Sequence, residues 1–178
     1  MESTNYKIFV SGSFRDDIVD SVKSVLPDTD VVFGNSLPDD KFDLIVIINN
    51  DGSDFELTDD YIETHKVIRV QPSLLPSFNT SNPIKDAFLN GVKVTGVTVH
   101  RVENKDMTGL ILAQYPVMID SYTGYQQLAD EIFKLESLLL PYVLKSVLED
   151  KVFDIVDFLN GSKSHNCGGC GGCHKCGE

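Results

Sequence analysis

The fold of this chain is decided by the stretch VIRVQPSLLPSF, residues 67–78. Its first half is rich in β-branched residues, which predicts a strand, and Pro72 ends the strand because proline cannot donate to a backbone ladder. Pro76 follows across a Leu pair and makes the turn rigid. Arg69 and Gln71 stand two residues apart, so they share one face of the strand just before the turn. A polar face that leads into a rigid turn is a candidate place for chemistry.

The segments around this stretch alternate between strand and helix patterns. Tyr6 to Ser11 predicts a strand, Gly12 breaks it, and Asp16 to Leu26 has apolar residues at helical spacing. Asp43 to Ile48 is a nearly continuous apolar run, which is typical of a central strand covered on both faces. The other predicted elements are a strand at Val31 to Phe33, a helix at Thr58 to His65, a helix that Asn82-Pro83 starts and that runs through Leu89, strands at Val94 to Val102 and Gly109 to Val117, a helix at Tyr125 to Leu148 and a short amphipathic turn at Phe153 to Leu159.

This order of elements predicts an α/β domain of three layers with a mixed, mostly parallel sheet. The last two strands are expected to form an antiparallel pair. Pro141 is expected to kink or divide the longest helix, because it lacks an N–H and crowds the preceding turn. We expect the domain to cover residues 1–160 and a Gly/Cys-rich tail to cover residues 161–178.

Composition excludes several classes of function. The chain has 178 residues, enough for one domain with a core, and a net charge of −12. Nucleic acid is not an expected partner, since nonspecific affinity for it comes mostly from Lys and Arg. No apolar run approaches the roughly 20 residues that span a bilayer, and the start MESTNYK lacks a signal-peptide pattern. A cytoplasmic protein without membrane contact is therefore expected.

All four cysteines lie in the tail, so the folded part cannot hold a disulfide framework. They have C-x₂-C-x₂-C-x₂-C spacing: Cys167, Cys170, Cys173 and Cys176. The Gly pairs between them permit the tight turns needed to wrap one soft metal ion or a small cluster. The run is closer to an iron–sulfur ligand set than to two separated zinc knuckles. Zinc, copper, a redox-active thiol set and a tail without metal all stay open.

A set of segments is shared with one known family. These segments are Pro72 to Pro76, Asn90-Gly91, Gly96 to His100, Thr108 to Val117 and Glu136 to Pro141. Over residues 43–153 the chain resembles the folate-dependent formyltransferases, and among them the phosphoribosylglycinamide formyltransferase type. The resemblance implies a Rossmann-like formyltransferase fold. It also implies transfer of a formyl group from 10-formyltetrahydrofolate to a small-molecule amine, as in purine biosynthesis.

The chain departs from that family at three positions. The family has Asn and His on the strand before the loop, and Asp on a later turn. Asn and protonated His stabilise the charge that builds on the formyl oxygen, while Asp holds the His and helps to move protons. The corresponding residues here are Arg69, Gln71 and Met107, with Asp106 directly before Met107.

The exchanged residues keep only part of this chemistry. Arg69 can stabilise an oxyanion but is always protonated, and Gln71 can donate a hydrogen bond but cannot transfer a proton. Asp106 can serve as the carboxylate if its turn differs from that of the family. Arg69, Gln71 and Asp106 are therefore the candidate catalytic residues, and the loss of one catalytic group commonly costs about 10²-fold to 10⁴-fold in rate. Reduced or altered activity is the expectation.

Two turns supply the candidate binding residues. Ser73 and Leu74 belong to the Pro-flanked loop, whereas Gly12 and Ser13 belong to the first strand–helix turn. The family holds a substrate phosphate at that first turn on backbone N–H groups at a helix start. Arg15 can add to such a site, but the two aspartates that follow it repel an anion.

Two hypotheses of function result. The first is a formyltransferase with an altered site. The second is an inactive formyltransferase-like protein whose tail binds a metal or an iron–sulfur cluster, or is presented to an acceptor protein. His100 stands where the family also has His, and a structural hydrogen-bonding role is expected for it.

Overall fold

The computed structural model describes residues 5–12, 15–48 and 57–161. Its strands are β1 (Tyr6–Ser11), β2 (Thr29–Gly34), β3 (Leu44–Ile48), β4 (Val67–Gln71), β5 (Val94–Arg101) and β6 (Ile111–Met118). Its helices are α1 (Asp16–Val25), α2 (Asp59–Thr64), α3 (Pro83–Leu89), α4 (Tyr125–Leu148) and α5 (Ile155–Leu159).

The six strands form one sheet in the order β2-β1-β3-β4-β5-β6. The pairs β1–β2, β1–β3 and β3–β4 are parallel, and the pairs β4–β5 and β5–β6 are antiparallel. The predicted mixed, mostly parallel sheet is confirmed, and so is the antiparallel pairing of the last two long strands.

Both faces of the sheet are covered, which gives the predicted three layers. One face packs against α1, α3 and α4 through a core that includes Ile18, Ile84 and Ile132. The other face carries Ile45, Ile47 and Val67, packed near α2 together with other apolar side chains of the surrounding loops. Alternation along each strand therefore sends neighbouring residues into two different cores.

Helix α4 runs unbroken from Tyr125 to Leu148, so of the two expected effects of Pro141, a kink or a division, the division is wrong. Pro141 is buried, and apolar packing along α4 maintains helical backbone across a residue that lacks an N–H. Strand β2 is longer than the predicted Val31 to Phe33, because its parallel pairing with β1 begins at Thr29 and continues to Gly34.

The order in which strands are added to the sheet changes direction at β1: β2 lies on one side of β1, and β3 lies on the other. The α1 crossover leads from β1 to β2 on one side, and the chain then returns to β3 on the other side. Ligands of open α/β sheets bind at such a switch point, outside the carboxyl ends of the strands. Gly12 lies there with φ +123°, and a Cβ on it would stand 2.5 Å from the carbonyl oxygen of Ile48. This close approach of β1 to β3 requires glycine.

Among the residues that the structure describes, no helix has the length and apolar character needed to cross a membrane.

Candidate functional site

The Pro-flanked turn after β4 is fixed by one buried hydroxyl. Thr98 Oγ1 on β5 donates to the carbonyl oxygen of Ser73 at 2.6 Å and accepts from the Leu75 N–H at 3.1 Å. Gln114 Nε2 on β6 donates to the same hydroxyl at 3.1 Å and to the carbonyl oxygen of Leu75 at 3.0 Å. Leu74 packs over Gly96, where a Cβ would stand 2.8 Å from a Leu74 methyl carbon. The turn that contains Ser73 and Leu74 is therefore attached to both antiparallel strands.

A row of residues crosses the sheet just below this turn. Strand register places Ser11, Ile47, Arg69 and His100 side by side on β1, β3, β4 and β5. Arg69 is 8% exposed and His100 is 1% exposed. Gln71 lies one step further toward the carboxyl end of β4, opposite Thr98, and its amide donates to the carbonyl oxygen of Phe78 at 3.3 Å. The structure thus brings Arg69 and Gln71 together on one buried face, as their spacing predicts.

Several polar atoms of this row and of the turn above it are buried without a hydrogen bond among the described residues. They are Ser11 Oγ, Ser73 Oγ in the turn above, and both ring nitrogens of His100. In the described part of the chain the His100 ring makes no hydrogen bond of good geometry, and a contact with the Arg101 backbone is what supports its expected hydrogen-bonding role. A buried group of this kind is costly unless something satisfies it. A ligand that supplies polar atoms at this face would remove that cost.

The His100 ring is held neutral by its surroundings. Burial lowers the pKa of His100 below its usual value, the backbone of Arg101 opposes that shift, and the positive charge of Arg69 adds to it. A neutral imidazole is able to accept a proton, whereas Arg69 and Gln71 are not. His100 is thus able to accept a proton where Arg69 and Gln71 are not, but its lowered pKa makes it a weak base.

The turn after β5 points Met107 inward and leaves Asp106 outside. Asn104 Oδ1 accepts from the Asp106 N–H at 3.1 Å and from the Thr108 N–H at 3.3 Å. Met107 has φ +53° and packs with Val102 in the core on the face that carries Arg69. Asp106 is exposed, so its carboxylate reaches the row only if its side chain swings toward the sheet.

The backbone at Met107 has a conformation that suits another residue type. A positive φ in this range is uncommon for side chains other than Gly, and Asn and Asp are enriched several-fold there. Methionine occupies this position in the present chain. The turn therefore keeps a geometry favourable to Asp at the position where the resembling family has Asp.

The first turn is connected to the last long helix. Arg15, which precedes α1, forms ion pairs with Asp17 and with Glu136 of α4, each at 2.6 Å. Glu136 is fully buried, and sequence reasoning gave it no role, although an acidic residue on the apolar face of α4 was a visible signal. The Gly12 N–H donates to the carbonyl oxygen of Gly34 at 3.2 Å.

Several predicted site residues are outside the described part of the chain. Ser13 is one of them, and the four tail cysteines are the others: Cys167, Cys170, Cys173 and Cys176. Among residues 5–12, 15–48 and 57–161, no group of three or more His, Cys, Asp or Glu side chains is placed to hold a metal ion.

Known proteins resemble this chain in sequence and in fold. A family model described as formyl transferase matches residues 57–144. The phosphoribosylglycinamide formyltransferase of Bacillus subtilis (strain 168) is 41% identical over 83 residues, which cover 47% of this chain and 43% of that protein. The formyltetrahydrofolate deformylase of the same organism is 34% identical over 98 residues, which cover 54% of this chain and 33% of that protein. The matches thus span less than half the length of either relative.

The structural likeness extends further along the chain. The crystal structure of phosphoribosylglycinamide formyltransferase from Anaplasma phagocytophilum has a TM-score of 0.66 at 21% identity. It covers 83% of this chain and 89% of that one, and it shows a shared fold. The described chain therefore has the α/β fold of solved formyltransferases, and its residues 57–144 match the formyl transferase family model.

Proposed function

We propose that this chain binds 10-formyltetrahydrofolate and transfers its formyl group to a small amine, at a rate that is reduced or altered by its exchanged residues. The observation that carries this proposal is the row in which Arg69 and His100 stand opposite each other below the Pro-flanked turn. The folate supplies an activated formyl carbon, and the residues of the row act on the groups around it.

The donors of the row fit a carbonyl group. Arg69 presents a planar set of N–H donors that stays charged at every pH of interest. Gln71 adds an amide donor one step further along β4. Hydrogen bonds to an oxygen that gains negative charge are the largest single contribution to many acyl transfers. We assign Arg69 and Gln71 to stabilising the formyl oxygen.

The proposed site has fewer groups that can accept a proton than groups that can donate a hydrogen bond. The attacking amine must lose a proton, which Gln71 and Met107 cannot accept. Asp106 remains the candidate carboxylate, provided that its exposed side chain turns toward the sheet. His100, buried and neutral, is the other group able to take a proton. This shortage of proton acceptors supports a slow reaction.

A single-turnover assay with 10-formyltetrahydrofolate and an amine tests the proposal. Arg69→Met should lower the transfer rate by about 10²-fold or more, because it removes charge stabilisation of the oxyanion. Lys93→Met, which removes an exposed cation directly before β5, should leave the rate unchanged. Asp106→Asn should slow transfer if the carboxylate takes part. Saturable folate binding with no transfer in the wild-type chain would establish the inactive alternative.

We infer a second function from the spacing of the tail cysteines. Four thiols in C-x₂-C-x₂-C-x₂-C order, separated by Gly pairs, supply the soft ligands that iron–sulfur clusters and zinc prefer. The chain should be purified without oxygen, and its iron, sulfide and zinc should be measured. Stoichiometric metal in the full chain that is lost on truncation after residue 161 supports this function. A full chain that contains no metal after purification without oxygen contradicts it. Such a tail would also suit presentation to an acceptor protein.

A further inference from the structure

A cavity of about 360 Å³ lies where the end of β5 and the start of β6 meet the last turns of α4. Its lining is largely apolar and includes Leu112 on β6, Val147 on α4 and Phe153 in the segment that follows α4. Leu110 and Val152, which also line it, are exposed. Cavities that bind small molecules have volumes of roughly 300–1,000 Å³ and mostly apolar walls with a few polar groups. The size and the walls of this cavity fit that description.

A bulge in strand β6 forms one wall of the cavity. The pairs Val99–Ala113 and His100–Ile111 are adjacent on β5 but two residues apart on β6. The additional residue of β6 is Leu112, which packs against the core on the face of the sheet that α4 covers. Bulges bend a strand and redirect its side chains, and they occur often at sheet edges, where β6 lies. This irregularity places an apolar side chain beside the end of α4.

The opposite wall is held in place by a backbone hydrogen bond at the end of α4. The Lys151 N–H donates to the carbonyl oxygen of Ser146 at 2.7 Å. Phe153, two residues later, packs against Phe158 of α5 with ring centroids 5.8 Å apart. The cavity is therefore preformed, with fixed backbone in both walls.

Arg101, at the end of β5, brings a positive charge to the cavity. Its pairing with Ile68 of β4 places both side chains on the face of the sheet that α4 covers. Arg101 is half-buried and lines the cavity. Among the residues that the structure describes, no side chain or carbonyl oxygen accepts a hydrogen bond from its guanidinium, and no carboxylate forms an ion pair with it. Its N–H donors are available to a ligand.

The other charged side chains of the cavity already have partners. Lys66 Nζ donates to Asp150 Oδ1 at 3.2 Å, and Lys151 Nζ donates to Glu149 Oε2 at 2.6 Å. The lining thus carries two cations, Arg101 and Lys151, and one anion, Asp150, which gives a net charge of +1 in a chain whose net charge is −12. This local excess of positive charge favours an anionic ligand.

We propose that this cavity binds a small amphipathic carboxylate, with its apolar body on the wall that contains Leu112 and Val147 and its carboxylate on Arg101. A guanidinium matches a carboxylate with two parallel hydrogen bonds, which an alcohol or an amine cannot accept in the same way. The apolar body covers side chains that otherwise face water.

The site is separate from the row that contains Arg69. Side chains alternate along β4, so Arg69 lies on the opposite face of the sheet from Ile68 and Arg101. The binding of a carboxylate here does not depend on formyl transfer, and it is measured without folate or an amine.

Calorimetric titration of the full chain with phenylbutyrate, and separately with octanoate, tests the proposal. Each acid should bind saturably at one site, and its uncharged amide should bind at least about tenfold more weakly. Arg101→Met should weaken binding of the acids by at least about tenfold but leave binding of the amides unchanged, because it keeps an apolar stem and removes the guanidinium. Lys134→Met, which removes an exposed cation of α4 that does not line the cavity, is the matched control and should bind like the wild type.

A second variant tests the cavity itself. Ser146 is half-buried in the α4 wall, and its hydroxyl donates only to the carbonyl oxygen of Tyr142 in the same helix, at 3.1 Å. Ser146→Phe should therefore leave the fold intact, which circular dichroism checks. It should fill the cavity and abolish binding of the acids and the amides alike.

Three results would overturn the proposal. The first is a wild-type chain that binds neither phenylbutyrate nor octanoate saturably. The second is a folded Arg101→Met variant that binds the acids as tightly as the wild type, which would place the carboxylate elsewhere. The third is unchanged binding by a folded Ser146→Phe variant, and this result decides the matter if Arg101→Met does not fold.

Discussion

Arg69 and His100 stand directly opposite each other on β4 and β5, so a permanent cation faces a buried imidazole across the middle of the sheet. Burial lowers the pKa of His100, and the charge of Arg69 lowers it further. The pair is thus arranged as a donor that cannot lose its proton beside a ring that resists gaining one. This asymmetry between the two residues has measurable consequences for stability.

The first prediction concerns the pH dependence of unfolding. The ordinary pKa of His100 is 6.5, and its folded value is lower. The unfolded chain therefore binds a proton that the folded chain does not over the interval between the two values. The free energy of unfolding should be highest above pH 6.5 and should fall as the pH drops toward the folded pKa, by up to about 1.4 kcal/mol per pH unit for one proton. Urea denaturation at a series of pH values measures this slope.

The His100→Gln variant isolates the contribution of the ring. Its stability should depend less on pH below 6.5 than that of the wild type, while above pH 7 the two curves should run parallel. Parallel curves at every pH would show that His100 does not cause the acid sensitivity.

The second prediction concerns the Pro-flanked turn. Thr98→Val keeps the shape of the side chain but removes a hydroxyl that makes hydrogen bonds to Ser73, Leu75 and Gln114. The free energy of unfolding should fall by about 1–3 kcal/mol, because the Leu75 N–H and the Gln114 amide lose a partner. Thr98→Ser, which keeps the hydroxyl, should lose less. Equal losses in the two variants would indicate that packing of the methyl group, not the hydroxyl, holds the turn.

Sequence patterns predicted the sheet because the apolar runs are strong signals. The run at Leu44–Ile48 is buried on both faces, as a continuous apolar strand must be in a sheet covered on two sides. The shared face of Arg69 and Gln71 was likewise predictable, because side chains two residues apart on a strand lie on the same face of the sheet. Packing overrode local rules at Pro141, where helix α4 continues.

The candidate site was less accessible to sequence reasoning, because its properties depend on neighbours across the sheet. Ser11 and His100 are far apart in the chain, and only strand register places both in the row that contains Arg69. Similarly, no local pattern connects Arg15 with Glu136, which approach each other because α1 and α4 pack on the same face. The outward placement of Asp106 depends on hydrogen bonds to Asn104 within its turn.

The third prediction concerns Gly12. Gly12→Ala should destabilise the fold and distort the switch point, because a Cβ there would stand 2.5 Å from the carbonyl oxygen of Ile48 and φ is +123°. Gly91→Ala is the matched control, since Gly91 also has a positive φ but a Cβ added to it would meet no atom within 4 Å. Thermal unfolding should show a larger fall in Tm for Gly12→Ala. An equal fall in the two variants would assign the cost to backbone conformation alone.

The last prediction restores the family's residue types to the altered site. The double variant Gln71→His with Met107→Asp adds a group that can be protonated at the end of β4 and a carboxylate on the turn after β5. Met107 already has φ +53°, a conformation that Asp adopts more readily than Met, so the backbone should accept the change. If the shortage of proton acceptors limits the wild-type chain, single-turnover formyl transfer should rise by about 10²-fold to 10⁴-fold.

The matched control pairs Gln71→His with Met107→Asn, which has the same shape as Asp but no charge. This control should gain much less activity, because an amide cannot hold the imidazole in its protonated form or accept a proton. A double variant that binds folate and remains as slow as the wild type would show that Arg69, not the missing proton acceptors, limits the reaction. Replacing Arg69 by Asn in the double variant would then be the change expected to raise the rate, since it completes the set of residue types that the resembling family has at these positions.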